Sequence, residues 1–177
     1  MKNIVVFAGN DCAKAREKYY FDLSYRTGRL LALNGFTVVT GGGPGLMDEV
    51  MRGAYEAKGK TIAVFLDING RKQTEFAREK YHYNSLNERQ AKLISLGESF
   101  ISLPGGVGTF YEITEILALK RKNDMDASKK LILIDNYFNQ LKSSLDNMVK
   151  EGFIDGKLND YYKLVNSPEE AVDLLKK

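Results

Sequence analysis

Cysteine, proline, histidine and tryptophan are scarce or missing in this 177-residue chain, which has one cysteine (Cys12), three prolines, one histidine (His82) and no tryptophan. One thiol cannot form an internal disulfide, so stability must come from a packed core, and a chain of this length buries about 70% of the surface that its unfolded form exposes. A lone histidine is too little for a histidine-based metal site, and no metal is expected. Long hydrophobic runs are also lacking. The longest apolar stretches fall far short of the roughly 20 residues that cross a bilayer, which excludes a helical membrane protein. Met1-Lys2-Asn3 leads straight into the apolar run at 4–8 without a secretory pattern, so a cytoplasmic protein is expected. Nor does one sign of charge dominate: 26 Lys and Arg face 23 Asp and Glu, giving +3. The basic residues are dispersed and form no block or aromatic-studded stripe, which argues against a nucleic-acid partner.

What the chain does have is alternation. Short β-branched and aliphatic runs at 3–8, 36–40, 61–66, 99–103 and 130–135 alternate with stretches of helical period at about 13–33, 44–58, 85–96, 107–122 and 137–151. Asn34-Gly35 closes the first helix, and Ser167-Pro168-Glu169-Glu170 opens a last one as a capping box with proline at the first helical position. Strands apolar on both faces, each followed by a helix, call for a parallel sheet covered on both sides. The expected fold is therefore a single α/β domain over 1–177, a doubly wound, mostly parallel, Rossmann-like sheet. Such sheets bind ligands beyond the carboxyl ends of their strands, where the strand order reverses. Attention falls on Gly9-Asn10 after the first strand and on the glycine loops after the second and fourth.

Those two loops share one design, in which a strand runs into several glycines and a helix begins at once. Thr40-Gly41-Gly42-Gly43-Pro44-Gly45 leads into Leu46-Met47-Asp48, and Pro104-Gly105-Gly106-Val107-Gly108-Thr109 leads into Phe110-Tyr111-Glu112. Glycine lets the backbone approach a ligand closely, and the helix start offers unpaired N–H groups at the positive end of its dipole. Both loops are candidate anion sites. Neither is a Walker loop, because no Gly-Lys-Ser/Thr follows.

The segment from Thr40 to Ala54, followed some fifty residues later by Pro104-Gly-Gly-Val-Gly-Thr-Phe-Tyr-Glu112, resembles the family called lysine decarboxylase-like or LOG-like. Its characterised members are phosphoribohydrolases that cleave nucleoside 5′-monophosphates, including cytokinin ribotides. The resemblance spans roughly 4–135. It implies an essential arginine fifteen residues before the proline of the second element, which falls on Arg89, and it implies a homodimer, for which the helix at 85–96 is a plausible contact. Three positions depart from the family pattern: Gln90 stands where many members have lysine, and Asp48 and Met51 stand where many have Glu and Asn.

The chemistry implied by the resemblance is consistent with the residues. Breaking a ribose–base bond develops positive charge at the anomeric carbon, which a carboxylate held against the sugar stabilises while it orients or deprotonates water. Glu112, one turn into the helix opened by the second loop, suits that role, with Arg89 as its partner and Glu115 as a second carboxylate on nearly the same face. Gly105, Gly106, Gly108 and Thr109 would hold the 5′-phosphate, with Gly9, Asn10, Gly42, Gly43 and Gly45 lining the rest of a substrate site. No cofactor is required. The old decarboxylase label is not supported, since no lysine lies on a loop suited to a Schiff base. Non-catalytic alternatives remain: a carrier of a phosphorylated cofactor of the molybdopterin type, or a nucleotide sensor. The base is open among adenine, a prenylated adenine, another purine and a pyrimidine. His82 is expected as a partly buried ring or a packing edge for substrate. Cys12 is expected as an inert thiol, and Tyr19, Tyr20, Tyr161 and Tyr162 as core or interface.

Overall fold

Five short strands that are apolar on both sides form the buried centre of the sheet, and two half-exposed strands close its edges. The structure, a computed structural model describing residues 2–177, contains β1 (Asn3–Phe7), β2 (Thr37–Thr40), β3 (Thr61–Leu66), β4 (Glu79–Tyr83), β5 (Ser99–Ser102), β6 (Leu131–Ile134) and β7 (Lys163–Val165). They form one sheet in the order β4-β3-β2-β1-β5-β6-β7, with every neighbouring pair parallel. This is the doubly wound sheet expected from the sequence.

Alternate residues of the central strands feed two cores. Ile4 and Val6 pack under α1 (Lys14–Leu33), α2 (Leu46–Glu56) and α6 (Pro168–Lys176), whereas Val5 and Phe7 pack under α3 (Leu86–Leu96), α4 (Val107–Arg121) and α5 (Asn139–Lys150). Ser167 caps α6 by accepting the Glu170 N–H, as the capping-box sequence requires. Tyr162 is buried in the second core with Tyr161 packed against it, and Tyr20 packs against the first. Tyr19 is largely exposed. No helix among the described residues is long and apolar enough to cross a membrane.

Two edge strands are additions to the sequence reading. β4 carries Glu79-Lys80-Tyr81-His82-Tyr83, whose charged and aromatic residues suit a half-exposed edge and give no apolar run. β7 has only three residues. The fifth helix starts at Asn139, two residues later than its periodicity suggests, because a 3-10 turn (Asn136–Phe138) intervenes. His82 is also exposed and not partly buried: its Nδ1 lies 2.9 Å from Asp67 Oδ1 and its ring leans on Phe65.

Helices α1 and α2 approach closely enough that their backbones touch through glycine. A Cβ at Gly28 would fall 1.9 Å from the Val50 carbonyl oxygen, and one at Gly53 would fall 2.1 Å from that of Tyr25. No side-chain movement relieves a clash with backbone, so the helices would have to separate and open the first core. Gly28→Ala should therefore lower unfolding free energy by at least about 2 kcal/mol in urea titrations. Gly156→Ala, which would meet nothing within 4 Å, should change it by no more than about 0.5 kcal/mol. Equal, small effects would show that the two helices are not locked by backbone contact.

Candidate active site

The winding of the sheet reverses at β1, which lies between β2 and β5, and the loops leaving β1 and β5 meet there. The Gly9 N–H donates to the Pro104 carbonyl at 3.1 Å, and a Cβ at Gly9 would sit 3.0 Å from Gly105 Cα. Above this junction opens a cleft of about 440 Å³. Its walls come from the loops after β1, β2, β3 and β5, namely Gly9, Asn10 and Asp11; Gly41, Gly42 and Gly43; Arg71, Lys72 and Gln73; and Gly106, Val107, Gly108 and Thr109. Arg89 and Glu112 join them, with the apolar Ala8, Met47, Phe65, Leu66 and Leu86. This is where an open α/β sheet binds its ligand.

At one end α4 begins with Gly106 as its N-cap, and no side chain caps it. The N–H groups of its first turn are therefore available to an anion. Thr109, buried in that first turn, adds a hydroxyl to the cleft wall. One turn further on is Glu112, about 4.5 Å along the helix axis.

Glu112 is buried and paired. Arg89, on α3, donates from Nη1 to Glu112 Oε1 at 3.0 Å and to Gln90 Oε1 at 3.2 Å, and from Nε to the Val64 carbonyl of β3 at 3.1 Å. Its guanidinium rests on the first glycine loop so tightly that a Cβ at Gly41 would fall 1.8 Å from Nη2. Burial pushes the Glu112 carboxyl up to about 7 from its ordinary 4.5. Arg89 works against that rise and nearby Glu115 adds to it. The arrangement places a carboxyl that changes charge near neutrality next to a fixed cation at the cleft floor.

Of the residues singled out from sequence, Gly9, Asn10, Gly42, Gly43, Arg89, Gly106, Gly108, Thr109 and Glu112 converge on this cleft. Gly45, Gly105 and Glu115 do not line it. Gly45 is the turn that starts α2: its φ is +69°, and a Cβ there would fall 1.3 Å from the Asn10 carbonyl oxygen. Gly105 lies beneath Thr109, and its carbonyl accepts the Tyr137 hydroxyl at 2.6 Å, which ties the loop to the segment after β6. Glu115 is partly buried off the cleft wall, with Oε2 buried and unpartnered.

The sequence reading placed Gly41 in the first glycine loop without the role it has in seating Arg89, and it passed over the whole 67–78 connection with Arg71, Lys72 and Gln73. Lys72 also means that a lysine does reach the cleft by a loop. A signal was present: Asn69-Gly70-Arg71-Lys72 places a turn and two cations directly after an apolar strand. Cys12 is partly buried, and burial together with Glu17 and Asp11 pushes its thiol up, away from a reactive thiolate. Among the described residues no group of three or more His, Cys, Asp or Glu side chains converges as a metal cluster.

A family model described as "Possible lysine decarboxylase" matches residues 47–175. The probable cytokinin riboside 5′-monophosphate phosphoribohydrolase LOGL2 of Oryza sativa subsp. japonica is 29% identical over 181 residues, a match covering 98% of this chain and 72% of that protein. The cytokinin riboside 5′-monophosphate phosphoribohydrolase LOG4 of Arabidopsis thaliana is 30% identical over 177 residues, covering 98% of this chain and 80% of that one. Among solved structures, the molybdenum cofactor binding protein from the phototrophic bacterium Rippkaea orientalis superposes with a TM-score of 0.74 at 25% identity, covering 99% of this chain and 95% of that one.

The raised Glu112 carboxyl makes stability depend on pH. A carboxyl that binds its proton more tightly when folded adds stability below its unfolded value, and that contribution is lost as pH rises through the folded value. The window is pH 4.5 to about 7, and at 1.36 kcal/mol per pH unit the loss is on the order of 3 kcal/mol. Urea unfolding at pH 5 and pH 8 should show wild type losing stability relative to Glu112→Gln across that interval. Parallel pH profiles for the two proteins would contradict the burial argument.

Proposed function

The chain belongs to the family described as possible lysine decarboxylase, the LOG family, and on that premise we propose that it is a phosphoribohydrolase that splits a nucleoside 5′-monophosphate into free base and ribose 5-phosphate. The observation that carries this reading is the buried Arg89–Glu112 pair, set one helical turn behind an uncapped, glycine-flanked helix start. Phosphate held by the N–H groups of Gly106 and Gly108 and by the Thr109 hydroxyl brings the ribose beside Glu112. As the bond from C1′ to the base nitrogen breaks, the bonding pair leaves with the base, and water adds to C1′. The ionised Glu112 carboxylate stabilises the positive charge on the sugar and takes the water proton, which passes to the departing base. Arg89 opposes the burial penalty on that charge, and a carboxyl that titrates near 7 suits proton transfer at neutral pH.

The names of the relatives in rice and Arabidopsis support a cytokinin ribotide as one substrate. In this reading the protein acts as a homodimer in the cytoplasm. The buried chemistry at the cleft floor is the ion pair and not Lys72, which is exposed, so lysine decarboxylation is not proposed. A second reading, a non-catalytic carrier of a phosphorylated cofactor, is favoured by the superposition on the molybdenum cofactor binding protein. A carrier has no need of a carboxylate against a sugar.

Incubation with a panel of nucleoside monophosphates, with separation of free base and ribose 5-phosphate, tests the reaction. Because the anchor is an anion site, AMP should be cleaved at least about 100-fold faster than adenosine at equal concentration. Equal cleavage of the two would remove the phosphate anchor from the account, and binding of a monophosphate without any product would favour the carrier.

A further inference from the structure

The end of the cleft farthest from α4 is built by the 67–78 connection after β3. This arm is anchored to the rest of the site: the Thr74 N–H donates to the Gly42 carbonyl at 2.9 Å, and Arg71 Nη2 donates to Asn10 Oδ1 at 2.9 Å. Arg71 Nη2 also lies 3.0 Å from where a Cβ at Gly43 would be, so the guanidinium reaches over the first glycine loop. Arg71 and Lys72 both line the cleft, and neither pairs with a carboxylate among the described residues. The other charges on the walls are the mutually paired Arg89 and Glu112, and Asp11. Two cations with one neutral partner between them are left to meet a ligand.

The arm leaves β3, whose axis lies three strand spacings of about 4.8 Å each, roughly 14 Å, from that of β5, and Arg71 reaches back from it as far as Asn10 beside β1. With the 5′-phosphate at α4 and the ribose over Glu112, the base and whatever it carries extend to Arg71, Lys72 and Gln73. That end holds two cations and the Gln73 amide alongside the apolar side chains of Phe65 and Leu66. A base can pack on the apolar side chains, and a carboxylate or phosphate beyond it would meet the cations in charge-assisted hydrogen bonds.

We propose that Arg71 and Lys72 form a second anion-binding subsite, so that, besides a ribotide with only its 5′-phosphate at α4, the cleft binds more tightly a ligand that also carries a carboxylate or phosphate at the far end. The position of the first group rests on the phosphoribohydrolase reading, while the second subsite is judged by binding alone.

Calorimetry with AMP, adenylosuccinate (AMP bearing a succinyl dicarboxylate on N6) and AMP bearing a 2-phosphooxyethyl group on N6 tests it on three proteins: wild type, Arg71→Gln/Lys72→Gln, and Lys122→Gln/Lys157→Gln. The last makes the same change in net charge at exposed positions on the opposite end of the fold. Wild type should bind one bis-anionic ligand at least tenfold more tightly than AMP, with the better of the two identifying carboxylate or phosphate as the second group. The ratio should fall to threefold or less in Arg71→Gln/Lys72→Gln and stay put in the remote variant. Ratios within threefold of unity in wild type, or an equal fall in both variants, would overturn the subsite. Release of ribose 5-phosphate is scored in parallel. A ratio that holds without release removes the hydrolase reading and keeps the subsite, and release without the ratio does the reverse.

Discussion

The organisation of the cleft depends on one buried ion pair. Bringing Arg89 and Glu112 out of water costs several kcal/mol per ion, and their attraction offsets that only if the remaining donors and acceptors are also met. The fold supplies those partners from several directions: β3 gives the Val64 carbonyl to Nε, α3 gives Gln90 Oε1, and the glycine loop after β2 leaves room for the guanidinium at Gly41. The pair therefore ties α3, α4, β2 and β3 into one geometry at the carboxyl edge of the sheet. The cost of burial is not fully offset at Glu112, whose carboxyl is held near neutrality in its titration. In the proposed hydrolysis, that residual imbalance is the property that proton transfer from water would use.

The sequence made the sheet legible because its central strands are apolar on both faces and its glycine loops sit at their ends. Gly-rich strand-to-helix turns identified α4 and Glu112, and the family resemblance identified Arg89, which would otherwise pass for one more helix-face arginine. Other features were hidden for physical reasons. β4 alternates charged and aromatic residues because it is an edge, so no apolar run marks it. The role of Gly41 depends on a side chain 48 residues away in sequence. Arg71 and Lys72 lie in an irregular connection, and nothing local shows that Asn10 and Gly42 pull that connection over the cleft. Glu115 follows Glu112 by nearly one turn, yet the small angular offset between them is enough to take it off the cleft wall.

The two proposed uses of the cleft, hydrolysis and carriage, would share the glycine-flanked start of α4 as an anion anchor, and only a reaction on the sugar would require the carboxylate. The ion pair therefore separates the two proposals, because a carboxylate that meets charge developing in the transition state has no counterpart in the bound ligand.

The most direct measurement is steady-state cleavage of the best nucleoside monophosphate by Glu112→Gln beside calorimetric affinity for a non-cleavable analogue. The account predicts a fall in turnover of about 100–1,000-fold, roughly 3–4 kcal/mol, with affinity changed little. Turnover kept above about a tenth of the wild-type value, a loss of no more than about 1.4 kcal/mol, would contradict it.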